Sequence, residues 1–94
     1  MDLEELRARG ERFFHIIEKD NPLPPLESVK EIQLIEEPDY HDAYNYNIQL
    51  IGENGNRLWE YPGNYPQKEW EVMYGLALYL SGIYSCPIKE IFEY

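Results

Sequence analysis

The chain is 94 residues long, 44% hydrophobic and 15% aromatic, which is ample for one packed domain, leaves no room for a second core and excludes global disorder. Eighteen acidic against eight basic residues give a net charge of −10, a field that repels nucleic-acid phosphates and anionic lipid and favours cations or a basic protein surface. A single cysteine, Cys86, excludes an internal disulfide framework and any multi-cysteine metal site, and with no apolar leader in MDLEELRARG the expected setting is a reducing cytoplasm.

The charge is uneven. Residues 1–30 hold seven acids and five bases, net −2, and residues 31–94 hold eleven acids and three bases, net −8. Asp2 followed by Glu5 forms the signature of a capping box, with Met1 and Leu6 placed for the staple across it. Leu3, Leu6, Phe13, Phe14 and Ile17 then keep helical spacing. Gly10 costs about 1 kcal/mol against alanine inside a helix and marks a close approach to another element. The helix is expected to stop near Asp20, ahead of Pro22 and Pro24-Pro25.

Ser28 to Glu36 alternates, with Ile32 and Leu34 opposite Glu31 and Gln33, the period of a half-buried strand. A polar connection, Glu36 to Asp42, carries four acids. Alternation returns with Tyr44, Tyr46, Ile48 and Leu50 against Asn45, Asn47 and Gln49. Asn54-Gly55 is the dipeptide of a type I′ hairpin, and as a two-residue turn it sets Leu50 opposite Trp59, Ile48 opposite Tyr61, Gln49 opposite Glu60 and Ile51 opposite Leu58.

Glu69 to Ile83 is the longest apolar stretch. Trp70, Met73, Ala77, Leu80 and Tyr84 form one helical stripe and Val72, Leu76, Tyr79 and Ile83 a second, so this helix is covered on two sides or a partner covers the second. It is too short for the roughly 20 residues that span a bilayer. Asn64 or Tyr65 is the expected cap and Gly82 the expected exit. Ile88, Ile91 and Phe92 then suggest a short terminal helix. The sum is one α+β domain over residues 1–94: N-terminal helix, three-stranded antiparallel meander, long core helix and short terminal helix, in the order α-β-β-β-α-α. The sheet face bearing Glu31, Gln33, Asn45, Asn47, Gln49 and Glu60 is expected to meet water or a partner.

No residue set stands out as catalytic, and no cofactor or metal is expected. Hard oxygen ligands crowd between Glu36 and Asp42 beside His41, but without the spacing of an ion-binding loop, so a solvated acidic loop is the expectation. His15 suits a structural histidine better than a base. Cys86 suits a small packed residue better than a nucleophile. Nine tyrosines and two tryptophans supply rigid amphipathic contact area. Tyr46, Trp70 and Tyr79 are expected in the core, whereas Tyr40, Tyr44, Trp59, Tyr61 and Tyr65 flank the acidic connection and the loop after the third strand.

The order α-β-β-β-α is similar to that of double-stranded RNA-binding domains. That family places lysines at the start of its last helix to grip phosphates, whereas this chain has Gln67-Lys68-Glu69-Trp70-Glu71 there, one lysine between acids, so direct nucleic-acid binding is not implied. In size, charge and topology the chain also resembles small acidic inhibitors of phages and plasmids, anti-CRISPR proteins and DNA mimics among them, and bacterial toxin-immunity proteins. That resemblance implies a non-enzymatic protein that occludes a basic surface of a larger partner, such as a nuclease or other nucleic-acid-binding protein. The residues expected at the contact are Glu36, Glu37, Asp39, Tyr40, Asp42, Tyr44, Glu53, Glu60 and Tyr65. Alternatives are an oligomer that sequesters a small ligand or nucleotide, and a small hydrolase using Cys86 or a carboxylate pair. A homodimer is compatible with the double apolar face of the core helix.

Overall fold

A computed structural model describes residues 2–38, 44–62 and 69–93, apart from the side chains of Pro38 and Tyr44. Helix α1 spans Leu3–Ile17. Asp2 caps it, its Oδ1 accepting the Glu5 N–H at 2.8 Å, which satisfies one of the orphan donors of the first turn. Leu6, Gly10, Phe14 and Ile17 form its buried stripe. One 3₁₀ turn, Glu18–Asp20, follows, and the Asn21 side-chain amide closes the end by donating to the Ile17 carbonyl at 2.9 Å.

Strands β1 (Glu31–Pro38), β2 (Tyr44–Ile51) and β3 (Arg57–Glu60) form the expected antiparallel meander. Leu50 stands opposite Trp59 and Gln49 opposite Glu60, and the Tyr61 N–H donates to the Ile48 carbonyl at 2.8 Å. Nearer the turn the register departs from expectation. Ile51 pairs with Arg57 instead of Leu58, across a bulge. Asn54 and Gly55 do take positive φ, 63° and 77°. However, the turn is a wider Glu53–Gly55 3₁₀ segment in which the Gly52 N–H donates to the Asn56 carbonyl at 2.7 Å. The extra residue ejects Leu58, which is left 42% exposed.

Helix α2 spans Trp70–Tyr84. Glu69 is its N-cap, in place of the expected Asn64 or Tyr65, which lie outside the described residues. Gly82 is not the exit: the helix runs two residues further and Ser85 takes the left-handed cap at φ 52°. The last element corrects the expected terminal helix. Ile88–Phe92 is a strand, β4, parallel to β1, and the sheet order is β3-β2-β1-β4. The meander leaves the far edge of β1 open, and one and a half turns of helix are marginal on their own. Pairing there satisfies backbone groups instead. The Ile32 N–H donates to the Pro87 carbonyl at 3.0 Å and the Glu93 N–H to the Glu36 carbonyl at 2.9 Å.

Both helices lie on one side of the sheet. Met73, Leu76, Ala77 and Leu80 of α2 are fully buried against Ile32, Ile48 and Leu50. Its other flank meets α1, where the backbones cross at Gly10 and Gly75. No helix among the described residues is long and apolar enough to cross a membrane.

Tyr84 ties α2 to the proline loop: it is 7% exposed, and its hydroxyl donates to the Pro24 carbonyl at 2.8 Å. Burial pushes its pKa up to about 12, with the Cys86 thiol adding to the shift. A phenol whose folded pKa is raised stabilises the fold fully below its unfolded value near 10, and that contribution is lost as pH rises through 12. Tyr84→Phe is therefore expected to cost about 1 kcal/mol at pH 8 through the lost hydrogen bond. In urea unfolding at pH 8 to 11.5, the gap between wild type and variant should close above pH 10.

Candidate functional site

The parallel pairing of β4 with β1 brings the C-terminal ends of two acidic strands together, and α2 begins above that same end. Glu36 pairs with Phe92, and Leu34 with Glu90, so these four side chains share the helix-side face of the sheet. They line a small cavity of about 50 Å³ together with Tyr46 of β2 and Trp70 of α2. The Tyr46 hydroxyl donates to Glu36 Oε1 at 3.1 Å. Trp70 lies against Tyr74 with ring centroids 4.7 Å apart and is 42% exposed, and Phe92 is 59% exposed. Beyond the cavity Glu37 and Glu93 stand at the strand ends, directed to the other face of the sheet, and Glu69 and Glu71 stand at the start of α2, where Glu69 lines a separate depression with Arg9 and Arg12. Glu69 and Glu71 favour the helix dipole. Arg9 of α1 meets Glu71 at 3.0 Å, both side chains about half exposed, a pairing worth roughly 0–1 kcal/mol.

Of the residues expected at the contact, Glu36 and Glu37 belong to this end. They project to opposite faces of β1 because successive strand residues alternate. Glu60 lies on the other face of the sheet, where the two helices do not pack. Its Oε2 accepts from the Asn47 and Gln49 amides at 3.0 Å each and from Arg57 at 3.4 Å. The Asn47 bond foremost, then Gln49 and Arg57, holds its carboxyl below the usual range against the opposing effect of burial. Glu31, Gln33, Asn45, Asn47 and Gln49 stand half-buried on this face, and the Gln33 amide donates to Glu31 at 2.9 Å.

Glu53 sits in the turn at the opposite end of the sheet. Six residue steps along β1 lead from the Glu31–Ile51 pair to the Glu37–Asn45 pair, about 20 Å at strand rise. Asp39, Tyr40, Asp42 and Tyr65 lie outside the described residues, as does the side chain of Tyr44. Trp59 and Tyr61, expected to flank the acidic connection, are 8% and 4% exposed and belong to the core. Trp70, expected in the core, is half open instead. Its stripe is buried from Met73 onward, but Trp70 lies over the end of the sheet. Trp70, Glu90 and Phe92 are thus the site residues that sequence reasoning missed. For Glu90 and Phe92 the strand leaves no clean alternation in Ile88-Lys89-Glu90-Ile91-Phe92, where Ile88, Ile91 and Phe92 keep helical spacing instead.

The nucleophile candidates are unremarkable in their surroundings. Burial first, and then the charge of Glu31, raises the Cys86 thiol pKa, which disfavours the thiolate. His15 is exposed, 3.2 Å from Glu18 and edge-on to Tyr79. His41 lies outside the described residues. Among the described residues no group of three or more His, Cys, Asp or Glu side chains is placed to hold a metal ion. No protein-family model, curated protein or solved structure matches the chain.

Proposed function

We propose that this is a non-enzymatic binding protein that occludes a basic, nucleic-acid-binding surface of a larger protein, setting carboxylates where phosphates would otherwise lie. The observation that carries this reading is the gathering of Glu36, Glu37, Glu90 and Glu93 at the paired C-terminal ends of β1 and β4. In a chain of net charge −10, such an end focuses the field on one side and steers a basic partner to it. The half-open rings of Trp70 and Phe92 add apolar area at its centre.

The test uses the whole chain, immobilised to retain basic proteins from a host lysate, and then kinetics with a retained protein. Association should slow at least about tenfold between 50 and 500 mM salt, as surface charges become screened. Replacing Glu37 and Glu93 together by glutamine should slow it about fivefold or more, because charges at an interface rim act chiefly on the on-rate. Replacing Glu27 and Glu53 instead changes the net charge equally at the opposite end of the sheet and should leave the rate nearly unchanged. Equal effects of the two pairs, or binding indifferent to salt, would overturn the proposal.

A further inference from the structure

The small cavity at the acidic end has a composition that its position in the fold does not explain. Glu36 and Glu90 lie on the helix-side face of the sheet, in the rows of Leu34 and Phe92, where alternation elsewhere places core residues such as Ile32 and Ile48. Glu36 and Glu90 stand two register positions apart across the strand pair, on one face, and give the cavity two carboxylates. Beside them are three aromatic rings, Tyr46, Trp70 and Phe92. The two largest apolar surfaces of this end, Trp70 and Phe92, remain 42% and 59% exposed, although a shift of either inward would bury more area. Tyr74 backs the Trp70 ring at 4.7 Å, and the Tyr46 hydroxyl holds Glu36 at 3.1 Å, so both walls of the cavity are braced from behind.

We infer that this cavity, lined by Glu36, Tyr46, Trp70, Glu90 and Phe92, is a binding site for a single arginine side chain of a protein partner. Its size selects the ligand class. At about 50 Å³ it falls far below the roughly 300–1,000 Å³ of sites for nucleotides and other small molecules, and takes a head group instead. Its chemistry selects the cation. A guanidinium is planar, weakly hydrated and able to stack on an aromatic face while donating two hydrogen bonds to a carboxylate. A lysine ammonium is a strongly hydrated point charge that gains less from the rings. Trp is the best aromatic partner for a cation, and the indole of Trp70 forms the helix-side wall.

The origin of the arginine in a basic protein rests on the function proposed above, but the site itself is tested without that protein. The probe is blocked arginine (N-acetyl-arginine N-methylamide), titrated into the ¹⁵N-labelled full chain and followed through the two tryptophan indole N–H signals. Trp59 is the internal reference, because its indole N–H donates to the Asn21 carbonyl at 3.4 Å and its ring is in the core. The Trp70 signal should move saturably, with a dissociation constant on the order of millimolar for so small a ligand, while the Trp59 signal stays in place. Blocked lysine should bind about fivefold or more weakly, and blocked citrulline, which keeps the shape and loses the charge, should not bind. Glu90→Gln and Phe92→Ala, both at exposed positions, should each weaken arginine binding about tenfold. Equal binding of lysine or citrulline, full affinity in Glu90→Gln, or parallel movement of both indole signals would overturn the inference. A Trp70 response to arginine without salt-sensitive capture of a basic protein would keep the cavity's role and remove the occlusion reading. Capture without that response would do the reverse.

Discussion

Gly75→Ala is expected to destabilise the protein by about 3 kcal/mol or more, the range of severe overpacking. A Cβ at Gly75 would fall on the carbonyl of Leu6, and one at Gly10 on the backbone of Gly75 and Leu76. In both cases the obstacle is main chain, which cannot rotate aside as a side chain can. Relief therefore requires α1 to move off α2, and with it the seating of Phe14 and Ile17 in the core. Gly10→Ala should cost a similar amount, and the double variant less than the sum, because both substitutions disrupt one crossing. Gly82 is the control within the same helix. A Cβ there meets nothing within 4 Å, so Gly82→Ala should stabilise by about 0.5–1 kcal/mol through helix propensity alone. Urea denaturation of the three single variants decides it. At about 4–8 °C per kcal/mol for a domain of this size, the melting temperatures should separate clearly. A Gly75→Ala variant within about 0.5 kcal/mol of wild type, the usual spread of neutral surface changes, would mean that the helices are not in backbone contact.

The crossing also shows what kind of information the sequence carries. Gly10 stands among good helix formers from Leu3 to Arg12, and its propensity penalty by itself points to a close approach. The partner glycine could not be named, because Gly75 sits in a continuous apolar run where any small residue would look at home. Asn54-Gly55 likewise announces its positive φ values, since few other residues adopt them. The bulge that shifts Ile51 onto Arg57 leaves no trace in the alternation, because Leu58 is as apolar as the residues it displaces. The register was legible from Leu50 outward, where Trp59 and Tyr61 have large faces to bury. The same division holds at the candidate site. Glu36 and Glu37 are visible as part of a charge run. Glu90 and Phe92 acquire meaning only from their pairing with Leu34 and Glu36, a contact spanning more than fifty residues of sequence that no local pattern encodes.

That pairing leads to the sharpest test of the fold. The Ile32 N–H bonds the Pro87 carbonyl and the Glu93 N–H bonds the Glu36 carbonyl. Parallel ladders alternate, so between these two bonds the amides of Lys89 and Ile91 point at β1, and those of Ile88 and Glu90 point away from it. Ile91→Pro should therefore remove a ladder bond and strand a carbonyl of β1, costing about 3 kcal/mol or more once the half-buried side chain is also lost. Glu90→Pro removes an amide that the ladder does not use, on an edge strand where proline is tolerated, and it biases Lys89 toward the extended backbone it already has. Its cost should be about 1 kcal/mol. Ile91→Val, which keeps the amide and trims one methylene, should cost about 0.5–1 kcal/mol and so isolates the backbone component. In a terminal helix opening at Pro87, the amides of positions 90 and 91 would both donate to carbonyls four residues back, and the two prolines would then behave alike. Equal unfolding free energies for Glu90→Pro and Ile91→Pro would thus remove β4 from the sheet. The arginine cavity would go with it, because Glu90 and Phe92 reach that cavity only through this strand.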